Sequence, residues 1–268
     1  MAELGNKLQE IKKMNKKAFV TYLCAGDPEE KLFLKITRIL SKYVDIFEIG
    51  IPFTDSVADG PVIQNSIARS LQRGMNTNKI YTLCKKIMDS IEKPVVIMTS
   101  YNIIHRRGMQ RFIEDSIRTG IKGLIIPDLP IEEADEYCYL AKDRIDTIFL
   151  ATPASGIKRF KTIVKLSTGF IYYVSVKGIT GIREKLPVDI KDNLNILTSL
   201  SKEKPVYVGF GISNPLQVRE IIPYCDGIIV GSKIIKIIED MIDISEKKVL
   251  KSIEDFIYSI RAALEMGK

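Results

Sequence analysis

The sequence predicts an α/β protein built as a closed (β/α)8 barrel, the TIM-barrel architecture, and three observations predict it. Eight short apolar runs with strand character recur along the 268 residues, each followed by a segment of helical periodicity. Strands that alternate with helices pair in parallel, and eight such units in a chain of this size favour the closed barrel over an open doubly wound sheet. The last two runs end in glycine and pass straight into helices, at Val208-Gly209-Phe210-Gly211-Ile212-Ser213 and Val230-Gly231-Ser232. A barrel commonly seats a phosphate there.

The segment from Leu4 to Met14 precedes the first strand and reads as an extra helix across the bottom of the barrel. The strands are expected at 18–23, 44–50, 94–99, 123–128, 147–152, 169–175, 205–211 and 227–231. The helices are expected at 29–42, 61–73, 78–91, 109–119, 131–143, 157–166, 189–200, 214–223, 232–242 and 246–266. Additional helices therefore follow strands 2 and 8. Spacing is uneven, with extra chain between Val44 and Pro94 and again between Gly169 and Pro205. In a barrel the loops after the strands form the face that carries chemistry, so both insertions lie on that face. The second, Val176 to Pro187, holds Gly178, Gly181, Lys177, Arg183 and Lys185; it is too long for a tight turn and reads as a lid. One domain, 1–268, is expected.

With 46% hydrophobic and 27% charged residues, the composition is that of a globular protein able to bury a substantial core. No apolar stretch is long enough to span a membrane, and the charged start lacks the apolar centre of a signal peptide, so a cytoplasmic location is expected. The net charge of +7 is spread along the helical segments, with no basic stripe or interleaved aromatics, which argues against a nucleic-acid partner. It suits the capture of a phosphorylated metabolite. Cys24, Cys84, Cys138 and Cys225 are far apart and His105 is the sole histidine, so free thiols and no metal site are expected.

The second strand and the loop after it set the functional reading. In Val44-Asp-Ile-Phe-Glu48-Ile-Gly50-Ile-Pro52-Phe-Thr-Asp55-Ser-Val-Ala-Asp59-Gly60-Pro61-Val-Ile-Gln64, an apolar strand places the carboxylate Glu48 close to its end. Pro52 stops the strand, and Pro61 suits the first turn of the next helix, where its missing N–H costs nothing. Asp59 then sits on the connection, so Glu48 and Asp59 are placed to converge on one small substrate. As bland readings, Glu48 is a core carboxylate paired with an arginine, Asp59 is a helix cap, Tyr172 is packing and His105 is an exposed loop residue.

With these residues, the chain resembles the α subunit family of tryptophan synthase over essentially its whole length. The stretch from Glu48 to Gln64 is similar to the family signature E-L-G-x-P-F-S-D-P-x-A-D-G-P-x-I-Q, and Phe19 to Pro28, Gly209 to Ser213 and Val230 to Ser232 match further blocks. Thr54, Ser56 and Val57 depart from the family's Ser, Pro and Leu, and Lys233 replaces a small residue. The resemblance implies a lyase that cleaves indole-3-glycerol phosphate to indole and glyceraldehyde 3-phosphate by a retro-aldol step. It implies Glu48 as general acid/base, Asp59 as the carboxylate at the indole N–H, and Tyr172 as a supporting tyrosine. It further implies phosphate binding by backbone N–H groups at Gly181, Gly211, Gly231 and Ser232, with Phe210 in the cradle. No cofactor of its own is implied; the partner is a pyridoxal-phosphate (PLP)-dependent β subunit in an α2β2 heterotetramer. Two rival functions remain at this point: an imine-forming aldolase using Lys177, and a binding subunit without chemistry.

Overall fold

The computed structural model describes residues 3–55, 59–174, 190–209 and 211–266. The strands are β1 (Ala18–Cys24), β2 (Ile46–Gly50), β3 (Val95–Met98), β4 (Gly123–Ile125), β5 (Asp146–Ile148), β6 (Leu150–Ala151), β7 (Ile171–Val174), β8 (Val206–Gly209) and β9 (Gly227–Val230). All pairs are parallel, in the order β5-β4-β3-β2-β1-β9-β8-β7-β6. The two ends of that order, β5 and β6, are separated in the chain by Phe149 alone. They are two halves of the fifth expected strand, one bonded to β4 and the other to β7, so the sheet comes round on itself as a barrel.

The helices are α1 (Glu3–Lys13), α2 (Glu30–Leu40), α3 (Pro61–Gln72), α4 (Thr77–Ser90), α5 (Tyr101–Arg107), α6 (Met109–Thr119), α7 (Asp135–Ala141), α8 (Gly156–Leu166), α9 (Ile190–Ser201), α10 (Pro215–Ile221), α11 (Ser232–Met241) and α12 (Glu246–Met266). Two follow β2 and two follow β9, as the spacing predicts. Two departures stand out. The segment expected as one helix over 131–143 begins as a 3-10 turn, Ile131–Glu133, and becomes α-helical only at α7. The loop expected after β3 contains α5, so His105 is exposed but helical. Gly181 and Phe210, with the lid expected over 176–187, lie outside the described residues.

Alternation along the strands divides the core in two. Val20, Ile46, Val96, Ile125, Ile148, Phe170, Tyr207 and Ile229 fill the barrel interior, while Phe19, Phe47, Ile49, Ile97 and Val208 face the helices. Helices answer with one apolar stripe each: in α6, Met109, Phe112, Ile113 and Ser116 are buried, the spacing of a single helical face. Full burial of each such large apolar side chain contributes about 1.5–3 kcal/mol.

Helix α1 closes the N-terminal end. Leu4 and Leu8, one turn apart, join the interior cluster. The Gly5 N–H donates to Asp146 Oδ2 at 2.9 Å, and Lys12 Nζ lies 3.1 Å from Asp226 Oδ2. Chemistry is thereby left to the opposite mouth, where the strands end. Among the described residues, no helix is long and apolar enough to cross a membrane.

Candidate active site

Strand β2 turns Ile46, Glu48 and Gly50 inward and Phe47 and Ile49 outward. Glu48 is in register with Tyr22 on β1 and Val96 on β3. It is completely buried, and neither carboxyl oxygen has a hydrogen-bond partner among the described residues. A bare carboxylate there would lose its hydration with nothing in return, so the group holds its proton instead. Burial, with the Asp59 charge added, pushes the Glu48 carboxyl up to about 8. At neutral pH it is a neutral acid.

Asp59 stands just ahead of α3, with Gly60 as N-cap and Pro61 in the first turn. Its backbone carbonyl accepts a hydrogen bond from Gln64 Nε2 at 2.9 Å. The carboxylate is close enough to act on four inward groups at once, raising Glu48, the Cys24 thiol and the phenols of Tyr22 and Tyr172. For both phenols burial is the larger cause. The structure therefore brings Glu48, Asp59 and Tyr172 to one mouth.

Tyr172, on β7, lies in register between Leu150 and Tyr207. Its ring covers Gly209, where any β-carbon would collide with it. Tyr22 is the residue sequence reasoning missed. Its hydroxyl end lies over Gly50 and its Cβ packs against Gly231, so one tyrosine side chain links the carboxylate strand to the last strand's end. The available signal is positional: Ala18, Val20, Tyr22 and Cys24 share the inward parity of β1.

The two glycine turns differ from one another. Gly211 has φ +82°, a left-handed turn that favours glycine, and leads to the seven-residue α10. That helix satisfies its own start: Asn214 accepts from the Gln217 N–H at 3.1 Å, and Gln217 Oε1 accepts from the Ser213 N–H at 2.8 Å. Helix α11 runs ten residues, and its N-cap, Gly231, offers no side chain to its first N–H groups. Ser232 is buried in its first turn, and Lys233 beside it is half-buried. Of the two helix starts, α11 is the better placed to receive an anion.

His105 packs against Tyr101, with ring centroids 6.1 Å apart, and burial pushes the Cys24, Cys84 and Cys225 thiols up to about 12. Among the described residues, no three His, Cys, Asp or Glu side chains group as a metal site would require.

Comparison with known proteins bears on this geometry. The tryptophan synthase alpha chain family model matches residues 8–264, which run from the middle of α1 into the last turn of α12. The chain belongs to the tryptophan synthase alpha chain family. It is 44% identical over 243 residues to the tryptophan synthase alpha chain of Methanocaldococcus jannaschii, covering 90% of this chain and 86% of that one. It is 40% identical over 258 residues to the Petrotoga mobilis alpha chain, covering 96% and 99%. Among solved structures, a chain of Mycobacterium tuberculosis tryptophan synthase superposes with a TM-score of 0.87 at 28% identity, covering 98% of each. A chain from the tryptophan synthase α2β2 complex of Pyrococcus furiosus gives 0.85 at 32% identity, covering 92% and 99%. The signature stretch from Glu48 to Gln64 lies inside the span matched to the tryptophan synthase alpha chain family.

Proposed function

We propose that the chain, acting as one domain over residues 1–268, performs the α reaction of tryptophan biosynthesis: retro-aldol cleavage of indole-3-glycerol phosphate to indole and glyceraldehyde 3-phosphate. The observation that carries the reading is Glu48, a fully buried carboxyl without a hydrogen-bond partner among the described residues, raised to about 8 beside Asp59. Such a group is poised to give a proton and take one back near neutral pH. Family membership supports the reaction class.

The steps follow from the protonation state. Neutral Glu48 donates its proton to C3 of the indole ring, and the Asp59 carboxylate accepts the hydrogen bond of the ring N–H as positive charge develops there. The bond from C3 to the glycerol chain then breaks and returns its electrons to the ring. Glu48, now a carboxylate, takes the proton of the neighbouring hydroxyl as that carbon becomes an aldehyde. Indole and aldehyde form, and Glu48 is again protonated. Tyr172 bounds the ring's place beside the two carboxyl groups. The phosphate is held by N–H groups at Gly231 and Ser232, with Gly211 beside them, and it anchors the glycerol chain for cleavage; Gly181 and Phe210, which the family resemblance adds to the cradle, lie outside the described residues. The chain needs no cofactor of its own in this scheme. A PLP-dependent β subunit is its proposed partner, in an α2β2 heterotetramer; the likeness to the Pyrococcus furiosus complex supports this.

The test is indole release from indole-3-glycerol phosphate by the purified chain, alone and with a β subunit, as a function of pH. Because Glu48 must begin protonated, kcat/KM is expected to fall above about pH 8. Absence of indole under both conditions overturns the proposal. Borohydride trapping of Lys177 with a ketose phosphate would point instead to the imine-forming aldolase.

A further inference from the structure

Two helices begin at the site: α3, directly after Asp59 and Gly60, and α11, directly after Gly231. A polar network away from the carboxylate pair ties them to each other and to the loop after β1. Arg69, on α3, donates from Nε and from a terminal nitrogen to the two oxygens of Asp27, at 2.8 and 2.9 Å. Asp27 is 2% exposed. The same guanidinium lies 3.6 Å from Glu239 on α11, and Glu239 Oε1 accepts from Asn65, one turn earlier on α3, at 2.6 Å. Lys236 holds the other Glu239 oxygen at 3.1 Å. Next to Arg69, Ser70 donates to the Ala25 carbonyl at 2.5 Å.

Asn65 and Arg69 are spaced to share one face of α3. Beside them Ile63 and Ile67 pack with Tyr22, Cys24 and Ile235. Apolar packing alone resists separation of two helices but permits sliding along the contact. A planar fork that holds a buried carboxylate from both oxygens fixes direction as well as distance. A lysine would supply the charge without the fork.

We propose that Arg69 is a positioning residue: through Asp27 and Glu239 it fixes the separation between the Asp59 end of α3 and the anion seat at the start of α11. The proposal rests on the reading of the site given above, in which one substrate spans both ends. It gives a role to the network, anchored on the buried carboxylate of Asp27, that joins α3 to α11.

The test uses the full chain with Arg69→Met, Arg69→Lys and Glu239→Gln, following kcat, KM, thermal midpoint and amide hydrogen exchange. Since a misplacement of about 1 Å costs on the order of 100-fold, Arg69→Met is expected to lower kcat about 10–100-fold with KM within about threefold. Amides in the first turns of α3 and α11 should exchange about tenfold faster or more, with those of α6 and α8 unchanged. Arg69→Lys should fall between, and Glu239→Gln, which leaves Asp27 paired, should show the same pattern at smaller size. If both first turns exchange as in the wild type, or kcat is kept while only the thermal midpoint drops, the proposal is overturned. A wild-type chain that releases no indole overturns the functional reading alone, and the exchange measurement still decides the role of Arg69.

Discussion

Replacing Glu48 by glutamine is expected to lower indole release by about 10²–10⁴-fold, the usual contribution of a positioned acid or base. The loss should appear in kcat, with KM little changed, because the group acts on protons in flight and not on the phosphate handle. Glutamine keeps the shape and removes the titration, so stability should respond as well. The folded carboxyl titrates at about 8, against about 4.5 for an ordinary glutamate. Between those values the folded chain keeps a proton that the unfolded chain has released, so its stability falls as pH rises through the window. Below the lower value and above the upper one this contribution is flat. Glu48→Gln abolishes the slope, gaining on the wild type by about 1.4 kcal/mol per pH unit across the window and up to roughly 5 kcal/mol at its top. Thermal or denaturant unfolding of both proteins at pH 5, 6.5 and 8 measures the divergence. Parallel curves would mean that Glu48 is not held neutral by burial, and full activity would remove it from the reaction.

Asp59→Asn is expected to cost about 10²-fold in kcat, since the amide presents no charge to the developing positive ring nitrogen. Its second effect is on its neighbour. Removing the like charge should lower the Glu48 pKa, but not to the ordinary range, because burial is the larger cause. The fall of kcat/KM at high pH should therefore move toward neutrality in this variant. Steady-state kinetics from pH 6 to 9 would show both effects, and an unmoved alkaline limb would mean that the two carboxyl groups do not share a mouth.

The parts of the fold legible in the sequence are those where a single physical rule governs. The helix expected at 109–119 matches α6 and that at 246–266 matches α12, since each repeats its apolar residues with an uninterrupted helical period. The division of the fifth strand was not legible, because Phe149 is as apolar as its neighbours and only the change of partner from β4 to β7 marks it. Helix α5 was hidden by its polar content. It is stabilised from a distance by Asp128, which accepts from the Tyr101 N–H at 2.7 Å and the Ser100 hydroxyl at 2.6 Å. Glu48 and Asp59 were legible because a charge in an apolar strand, or just before a proline-started helix, needs a reason. Tyr22 was not, because both faces of β1 are apolar and alternation is invisible there. Nor does sequence separate the two glycine turns: the self-capping of α10 by Asn214 and Gln217 appears only in three dimensions.

Direct titration of the Glu48 carboxyl carbon by 13C nuclear magnetic resonance, in the wild type and in Asp59→Asn, reads the central quantity without relying on turnover. A wild-type midpoint of about 8, displaced downward in Asp59→Asn yet above the ordinary glutamate value, is the result predicted here. A midpoint near 4.5 in the wild type, or one indifferent to Asp59, would contradict it.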